Sequence, residues 1–346
     1  MSTSQLHEAM LYDRRDDDEV QCRVCPRRCV IAPGKSGACR ARLNRDGVLY
    51  AVTYGRVCSV AADPIEKKPL YHFFPGSTVL SLGSVGCNFT CRHCQNWQIA
   101  HADATAIACD LRALPVRNLP VLAEHNECRG VAWTYNEPTI WLEYILDGAQ
   151  VAHEHGLYTV MVTNGYITDE ALDVLAPHID AYRVDVKGFS AEAYYELCRI
   201  KDFTPVLRAA ARAKHEFGCH VEIVTNVIPT LNDDEGMLRE LAGWIVDELG
   251  PETPWHVTRF VPYLELAHLP ATPIRTLERA AAIGAEAGLR FVYVGNVPGH
   301  EGENTVCPNC KRLLVRRTGY EIEDVALRGT LCAMCGENVN VRLALR

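Results

Sequence analysis

The sequence lacks the features that mark membrane, secreted and nucleic-acid-binding proteins. No apolar run approaches the roughly 18 residues that a membrane-spanning helix needs. The N-terminus lacks the basic-then-apolar pattern of a secretory signal. Thirty-five Lys and Arg against 43 Asp and Glu give a net charge of −8, so no global basic field attracts nucleic acid. These absences predict a cytoplasmic protein that binds neither membranes nor nucleic acid.

Cysteine is the residue type present in excess, with 16 in 346 residues. In a long chain without a secretory signal, the reducing compartment disfavours disulfides and favours metal or redox chemistry. Eleven of the cysteines fall into three tight groups. The others stand alone and are predicted to be ordinary thiols: Cys58, Cys109, Cys128, Cys198 and Cys219. The length predicts about two domains, and a hydrophobic content of 48% suffices for a sizeable core.

Four regions of the chain differ in pattern. Residues 1–20 are predicted to be a polar, partly disordered tail, residues 21–76 are rich in cysteine, and residues 301–346 form a small appended module. In residues 77–300, short apolar runs alternate with helical patterns, which indicates a parallel α/β sheet. Strands are predicted at 78–82, 130–134, 158–163, 181–186, 220–226, 255–260 and 289–294, and helices at 140–155, 205–217, 234–249 and 273–287. This periodicity fits a complete or partial barrel and equally a doubly wound sheet.

The sharpest motif is C-x3-C-x2-C, formed by Cys87, Cys91 and Cys94 directly after the first predicted strand of that sheet. Active-site loops of α/β barrels lie at this position. Three thiolates can ligate three corners of one iron–sulfur cubane and leave its fourth iron open, and an open position distinguishes reactive metal sites from structural ones. The alternatives are a zinc site with His93 as the fourth ligand, and three buried cysteines without a metal.

This loop resembles the hallmark of the radical SAM superfamily, whose C-x3-C-x2-C motif follows the first strand of a partial TIM barrel. The resemblance implies that Cys87, Cys91 and Cys94 ligate a [4Fe–4S] cluster, which binds S-adenosylmethionine (SAM) at its open iron. An electron from the cluster then cleaves the sulfonium to a 5′-deoxyadenosyl radical, which abstracts hydrogen from a substrate. In this family the residue at the position of His93 contacts the adenine through its backbone.

Further matches follow in the order that the family has them. Tyr135-Asn136-Glu137-Pro138 falls where many relatives carry Gly-Gly-Glu-Pro, the segment that holds the SAM amino group. The resemblance also implies SAM contacts at later strand ends, from Thr163 and Asn164, from Asp185 and Lys187, and from Pro229 in an apolar wall against the adenine. From the residues alone, Glu137 suits a helix cap, Asp185 and Lys187 suit an ion pair on one strand face, and Pro229 suits a core strand end.

Within the superfamily, the chain resembles the AmmeMemoRadiSam system radical SAM enzymes, which are related to pyruvate formate-lyase activating enzymes. The shared segments are residues 63–76, 94–97, 134–138, 259–263 and 295–297. The resemblance implies Memo-like and AMMECR-like partner proteins and a reductant such as flavodoxin or ferredoxin. From its composition, the stretch 63–73 is either the mouth of a substrate site or simply a well-paired loop.

The two outer cysteine groups each supply four thiolates. The C-terminal group has two C-x2-C knuckles, the spacing of a zinc ribbon or rubredoxin-like module, and predicts a structural zinc at Cys307, Cys310, Cys332 and Cys335. The N-terminal group is compact but less diagnostic, with zinc as the first interpretation and an auxiliary iron–sulfur cluster as the second, at Cys22, Cys25, Cys29 and Cys39.

The leading hypothesis is a radical SAM oxidoreductase, with a partial TIM barrel between a Cys-rich N-terminal segment and a zinc-ribbon-like module. Its radical acts on a small molecule or peptide delivered by the Memo-like partner, or on a protein loop if the enzyme is a glycyl-radical-enzyme activase. The alternatives from other classes are a zinc-binding interaction module and an iron–sulfur electron carrier. The acidic balance counts against the former as a nucleic-acid binder, and six or seven α/β units exceed what electron transfer needs.

Overall fold

The structure is a computed structural model that describes residues 6–108 and 110–345. Its first part consists of short strands: β1 (His7–Glu8), β2 (Tyr12–Arg14), β3 (Val20–Cys22), β4 (Val30–Ile31), β5 (Arg42–Arg45), β6 (Val48–Ala51) and β7 (Arg56–Val57). Six of these strands form two small antiparallel sheets, ordered β1-β6-β5 and β2-β3-β4. Asp46 and Gly47 join β5 to β6 with positive φ angles, as a tight hairpin requires.

Residues 6–20 do not form the partly disordered tail that their polarity predicts. β1 pairs with β6 and β2 pairs with β3. Ala9 and Val20 are buried, and the Ala9 N–H donates to the Leu49 carbonyl at 2.8 Å. Sheet hydrogen bonds satisfy the backbone of this segment, while the acidic run Asp16–Asp18 remains exposed to water.

The central sheet contains eight strands. The strands that follow in the chain are β8 (Ser59–Pro64), β9 (Thr78–Gly83), β10 (Arg112–Ala113), β11 (Gly130–Trp133), β12 (Tyr158–Thr163), β13 (Ala181–Asp185), β14 (His220–Val227), β15 (Trp255–Arg259) and β16 (Val292–Gly295). Of these, β10 pairs with β7, and the other eight form the central sheet in the order β8-β9-β11-β12-β13-β14-β15-β16. The seven strands that the sequence predicts are confirmed, although the last begins at Val292 rather than at residue 289.

The strand order decides between the two architectures that the periodicity left open. β9 and β11 to β16 are parallel, and β8 lies antiparallel to β9 at one edge. Neighbouring strands of the sheet follow one another in chain order from one edge to the other, whereas a doubly wound sheet reverses its strand order at a switch point. The doubly wound alternative is therefore wrong, and the carboxyl ends of seven parallel strands meet at one edge of the sheet.

Helices connect the parallel strands. They are α1 (Trp97–Ala100), α2 (Ala104–Ile107), α3 (Leu119–His125), α4 (Leu142–Glu154), α5 (Asp169–Leu175), α6 (Ala191–Cys198), α7 (Thr204–His215), α8 (Glu235–Trp244) and α9 (Ile274–Glu286). The four predicted helices correspond to α4, α7, α8 and α9, and a π-helical turn at Ile245–Leu249 continues α8. The sequence missed α3, α5 and α6 because seven or eight residues give too few turns for a clear period.

The C-terminal module is attached to the central sheet by buried contacts. Its strands are β17 (Thr305–Val306), β18 (Leu313–Thr318), β19 (Glu321–Val325), β20 (Leu327–Arg328) and β21 (Leu331–Cys332). A hydrophobic cluster joins Leu314 and Val315 of β18 to Tyr71 and to Tyr293 of β16. Buried Arg317 donates to the Tyr71 carbonyl at 3.0 Å, and its guanidinium carbon lies 4.2 Å from the centre of that ring. The module therefore shares a core with the stretch that precedes β9.

None of the helices in the described part of the chain combines the length and the apolar character that crossing a membrane requires.

Gly86 fixes how the chain leaves β9. Its φ angle is +92°, and a Cβ at this position would lie 2.5 Å from the Cys39 carbonyl oxygen and 3.0 Å from Cδ1 of Ile140. Its N–H donates to the Ile99 carbonyl at 2.9 Å. Only glycine combines this backbone conformation with so close an approach of the N-terminal segment.

We expect Gly86→Ala to lower the free energy of unfolding by about 2–5 kcal/mol, because alanine adds both backbone strain and a steric clash. The matched control is Gly156→Ala, at a glycine with φ of +70° that has no atom within 4 Å of the added Cβ. This control carries the backbone strain alone and should cost only about 1–2 kcal/mol. Urea denaturation of both variants measures the difference, and equal losses would show that the close approach to Cys39 costs nothing.

Candidate active site

The loop that carries Cys87, Cys91 and Cys94 follows β9 and is held on three sides. Asn88 donates its side-chain amide to the Tyr166 carbonyl at 2.8 Å, which ties the loop to the end of β12. Arg27 donates Nε to the Asn88 carbonyl at 2.5 Å, which ties it to the N-terminal segment. The Arg92 N–H donates to the Leu197 carbonyl of α6 at 2.9 Å.

The three thiols of this loop line a common cavity of about 510 Å³. The sulfurs of the four C-terminal cysteines all lie within 4.8 Å of one another. Among the described residues, the sulfurs of Cys87, Cys91 and Cys94 do not form such a group. A single zinc ion needs its thiolate sulfurs about 3.8 Å apart, as tetrahedral bonds of about 2.3 Å dictate. A cubane separates them because each thiolate ligates a different iron. The arrangement therefore fits a cluster better than the zinc alternative.

Burial changes the chemistry of two side chains of this loop, Cys94 and His93. Burial raises the pKa of the Cys94 thiol to about 11, so a cation is needed to hold it as the thiolate that ligates metals. His93 is buried at the cavity wall, and its Nδ1 has no hydrogen-bond partner among the described residues. Burial also lowers the pKa of His93 to about 3, which keeps the imidazole neutral.

Most of the residues predicted to contact SAM lie on the wall of this cavity. They are His93, Asn136, Glu137, Thr163, Asn164, Asp185 and Lys187. Pro229 is the exception, since it is buried and lies outside the cavity lining. Alternation along β14 places Val224 and Asn226 at the cavity instead, and the strand ends at Val227 before the chain reaches Pro229. The contact between Pro229 and SAM therefore stays a prediction.

Glu137 is both a helix cap and a wall residue. Its carboxylate accepts hydrogen bonds from the Thr139 N–H at 2.9 Å, the Thr163 hydroxyl at 2.6 Å and the Asn164 N–H at 2.8 Å. It therefore joins the end of β11 to the end of β12 and caps the 3₁₀ turn Pro138–Trp141. Burial raises the pKa of Glu137 in spite of these donors. The helix-cap alternative is confirmed, and the carboxylate still reaches the cavity.

Asn136 and Tyr135, which replace two glycines of the family pattern, have structural contacts of their own. The Asn136 side chain accepts from the Ser84 N–H and donates to the Gly86 carbonyl, both at 3.1 Å, so it holds the start of the cysteine loop. Tyr135 has a φ of +75° and packs where a Cβ on Gly83 would be only 2.9 Å from its ring. Its hydroxyl donates to Asp63 at 2.5 Å.

Asp185 lies between two cations at the end of β13. Arg183 approaches one carboxylate oxygen to 2.7 Å and Lys187 the other to 3.4 Å. Burial alone would raise the pKa of Asp185, but the two cations outweigh it and hold that pKa below its usual value. Burial would likewise lower the pKa of Lys187, and Asp185 outweighs that effect. The predicted ion pair is present, and it lies on the cavity wall.

The stretch 63–73 is both a cavity wall and a well-paired loop. Glu66, Lys67 and Lys68 line the cavity. Asp63 binds Lys67 at 2.8 Å and buried Lys68 at 2.6 Å. Burial alone would raise the pKa of Asp63, but hydrogen bonds from Lys67, Lys68 and Tyr135 lower it, so Asp63 stays ionised.

Several cavity residues escaped the sequence analysis. Arg183, Asn226, His256 and Thr258 come from β13, β14 and β15, and Glu303 and Tyr320 come from the C-terminal part. For Arg183 a signal existed, because alternation places it on the same strand face as Asp185 and Lys187. Cys198, predicted to be an ordinary thiol, is a buried free thiol whose sulfur lies 3.5 Å from that of Cys91, a contact that the sequence did not reveal. Cys109 lies outside the described residues.

The C-terminal cysteines meet at one point. The sulfurs of Cys307 and Cys335 are 3.6 Å apart, those of Cys310 and Cys332 are 3.7 Å apart, and all four lie within 4.8 Å of one another. Backbone N–H groups of Cys335 and Met334 favour the Cys332 thiolate and lower the pKa of Cys332 to about 6. The four sulfurs have the arrangement that one metal ion requires. The N-terminal cysteines Cys22, Cys25, Cys29 and Cys39 line a different, small cavity.

Residues 82–242 match the family model of the Radical SAM superfamily, so the chain contains a radical SAM domain. That superfamily implies a [4Fe–4S] cluster and SAM, and the three open thiols with the unpartnered His93 beside them fit such a group. Over 340 residues the chain is 44% identical to an uncharacterized protein of Methanocaldococcus jannaschii, covering 98% of this chain and 100% of that one. The chain belongs to one family with that protein.

The chain is also similar to two further proteins. A putative glycyl-radical enzyme activating enzyme of the same organism is 23% identical over 192 residues, which cover 54% of this chain and 69% of the relative. The structure of a radical SAM methyltransferase from Sphaerobacter thermophilus superposes with a TM-score of 0.50 at 16% identity, over 67% of this chain and 71% of that one. At this identity the second likeness shows the fold alone.

We expect Glu137→Gln to lower the free energy of unfolding by about 1.5–3 kcal/mol, because one amide cannot accept all the hydrogen bonds of this buried carboxylate. The control is Asp234→Asn, which removes the same charge from the cap of α8. Asparagine caps a helix about as well as aspartate, so the control should be nearly neutral. Chemical denaturation compares the two, and a neutral Glu137→Gln would contradict the bridging role.

Proposed function

We propose that the protein is a radical SAM enzyme in which Cys87, Cys91 and Cys94 hold a [4Fe–4S] cluster beside a SAM site. When bound, these groups supply reductive cleavage of SAM to a 5′-deoxyadenosyl radical for hydrogen abstraction from a substrate. The proposal rests on the cavity, because the three thiols of the loop and polar groups from successive strand ends line it together. An interaction module or a simple electron carrier has no use for such a cavity.

The polar groups of the cavity suit the charges of SAM. Glu137 has one carboxylate lone-pair position left after three hydrogen bonds, and it can accept from the SAM ammonium. Lys187 presents a cation near the cysteine loop, which suits the SAM carboxylate. Asp185, held ionised by Arg183 and Lys187, is an acceptor for ribose hydroxyls. Thr163 and Asn164 support this wall by binding Glu137.

A partial (β/α) barrel accounts for the position of this cavity. The seven parallel strands follow one another in chain order, as in a barrel, and the cavity residues lie at or just after their carboxyl ends. β8 and β16 lie at opposite edges of the sheet, which leaves it open. Glu303 and Tyr320 from the C-terminal part and Glu66 from the stretch before β9 also line the cavity and would shape substrate entry.

For the substrate we favour a small molecule or peptide delivered by a Memo-like partner in the cytoplasm. An AMMECR-like protein would be a further partner, and flavodoxin or ferredoxin the reductant. The shared segments of residues 63–76 and 259–263 support this assignment. The second candidate is a glycyl-radical-enzyme activase, which is favoured by the similarity to a putative enzyme of that kind. Anaerobic incubation with each substrate class separates them, because only an activase leaves a glycyl radical on its target protein.

Reductive SAM cleavage should depend on each cysteine of the loop. We expect Cys91→Ala to lose the cluster absorbance and at least about 100-fold of 5′-deoxyadenosine formation, because one iron loses its thiolate. The assay is anaerobic reconstitution followed by dithionite and SAM. Cys128→Ala, at a buried thiol outside the cavity, is the matched control and should retain both properties. Full turnover of Cys91→Ala would overturn the assignment.

We also propose that the C-terminal cysteines hold zinc for structure. The sulfur separations of 3.6 Å and 3.7 Å match the value of about 3.8 Å that tetrahedral zinc–thiolate bonds require. All four positions are then filled by protein, which leaves none for a substrate. A module with so small a core gains folding energy from such an ion.

Replacing one of these ligands should therefore affect the module and spare the cavity. We expect Cys332→Ser to remove about one zinc per chain and to make residues after about 305 sensitive to protease. The iron of the central cluster and SAM cleavage without substrate should persist. Metal analysis and limited proteolysis measure this, with Cys128→Ser as the control. Iron at the site, or loss of SAM cleavage in a folded Cys332→Ser protein, would contradict a structural zinc.

A further inference from the structure

The N-terminal cysteines surround a cavity of their own. Cys22 ends β3, Cys25 and Cys29 lie in the turn before β4, and Cys39 precedes β5. All four line one cavity of about 20 Å³, which is separate from the large cavity at the strand ends. Cys29 is half-buried and the other three are buried. The proposed function of the protein makes no use of this cavity.

The spacing of these four thiols differs from that of the C-terminal site. The C-terminal sulfurs converge within 4.8 Å of one another, as one ion requires. Across the described part of the chain no other group of three or more metal-ligating side chains does so, and the N-terminal thiols therefore stand further apart around their cavity. A zinc ion holds its sulfurs about 3.8 Å apart, whereas a cubane assigns each thiolate to a different iron. The wider arrangement favours the cubane.

The wall of this cavity includes the buried guanidinium of Arg42. Arg42 lines it and binds Glu143 through both terminal nitrogens, at 2.9 Å and 2.8 Å. Its Nε is buried and finds no acceptor anywhere in the described part of the chain. Residues 21–45 also contain seven Lys and Arg and no Asp or Glu, in a chain of net charge −8. Hydrogen-bond donors and positive charge stabilise the anionic sulfurs of an iron–sulfur cluster.

We propose that Cys22, Cys25, Cys29 and Cys39 hold a second iron–sulfur cluster of the [4Fe–4S] type. Four protein thiolates close its coordination, so it binds no SAM and differs in kind from the central site. It lies beside the central loop, because the Cys39 carbonyl packs on Gly86 and Arg27 donates to the Asn88 carbonyl at 2.5 Å. The protein thus carries two iron–sulfur clusters and one zinc.

The experiment isolates the second site by removing the first. The triple variant Cys87→Ser, Cys91→Ser and Cys94→Ser lacks the central ligands and is reconstituted anaerobically with iron and sulfide. We expect it to retain about four irons and four sulfides per chain, one zinc, and an electron paramagnetic resonance signal after reduction. Two zinc ions without iron or sulfide in the triple variant would overturn the proposal.

A second set of variants assigns that iron to the four thiols. Adding Cys29→Ser and Cys39→Ser to the triple variant should remove the remaining iron, whereas adding Cys58→Ser and Cys128→Ser should leave it. Because Cys39 is buried and the first addition carries a risk to folding, iron-57 Mössbauer spectroscopy of the wild-type protein gives an independent count. About eight irons per chain support the proposal, and about four oppose it when the triple variant holds none. SAM should change only the part of that spectrum that comes from the cluster of Cys87, Cys91 and Cys94.

The outcomes separate this proposal from the proposed function. If the central site does not hold a cluster, the wild-type protein and the triple variant contain the same iron and SAM changes neither spectrum. If the N-terminal site does not hold one, the triple variant contains no iron while the wild-type protein still responds to SAM.

Discussion

The buried carboxylate of Glu137 is the contact on which the candidate site depends. It binds the backbone after β11 and the end of β12, and the second of these contacts fixes Asn164. The Asn164 side chain donates to that of Asn88 at 2.8 Å, in the middle of the cysteine loop. One carboxylate therefore positions two strand ends and, through one further hydrogen bond, the loop that carries Cys87, Cys91 and Cys94. The same group that organises the wall also faces the cavity, so stability and ligand binding are coupled there.

Charge pairing keeps the interior of the protein compatible with its many buried ionisable groups. Arg42 and Glu143 form a fully buried bidentate pair between the N-terminal segment and α4. Glu222 of β14 accepts from the backbone of Tyr71 and His72, and also binds His256 at 2.6 Å. Unpaired, such groups would cost several kcal/mol each. These pairs join distant parts of the chain, so the outer segments are integral to the body that holds the cavity.

The cysteine groups illustrate how one residue type serves different chemistry. The central thiols lie on a loop with an open cavity, the C-terminal thiols converge on one point, and the N-terminal thiols surround a small enclosed space. Reactivity follows from what else reaches the sulfurs. The central group borders a cavity of about 510 Å³ that is lined by polar side chains from several strand ends.

The sequence by itself determined the features that depend on local spacing. The period of apolar residues gave the parallel strands, the C-x3-C-x2-C motif located the loop, and alternation placed Asp185 and Lys187 on one face. Tertiary structure decided the rest, because those outcomes depend on contacts between residues far apart in the chain. It placed Asn226 at the cavity, paired strands within residues 6–20 into sheets, brought Cys198 to Cys91, and gave Glu137 its three donors. The order of the strands in the sheet was likewise decided only when the strands paired, and it excluded a doubly wound sheet. The sequence could not decide this order, because each strand carries the same apolar pattern in either arrangement.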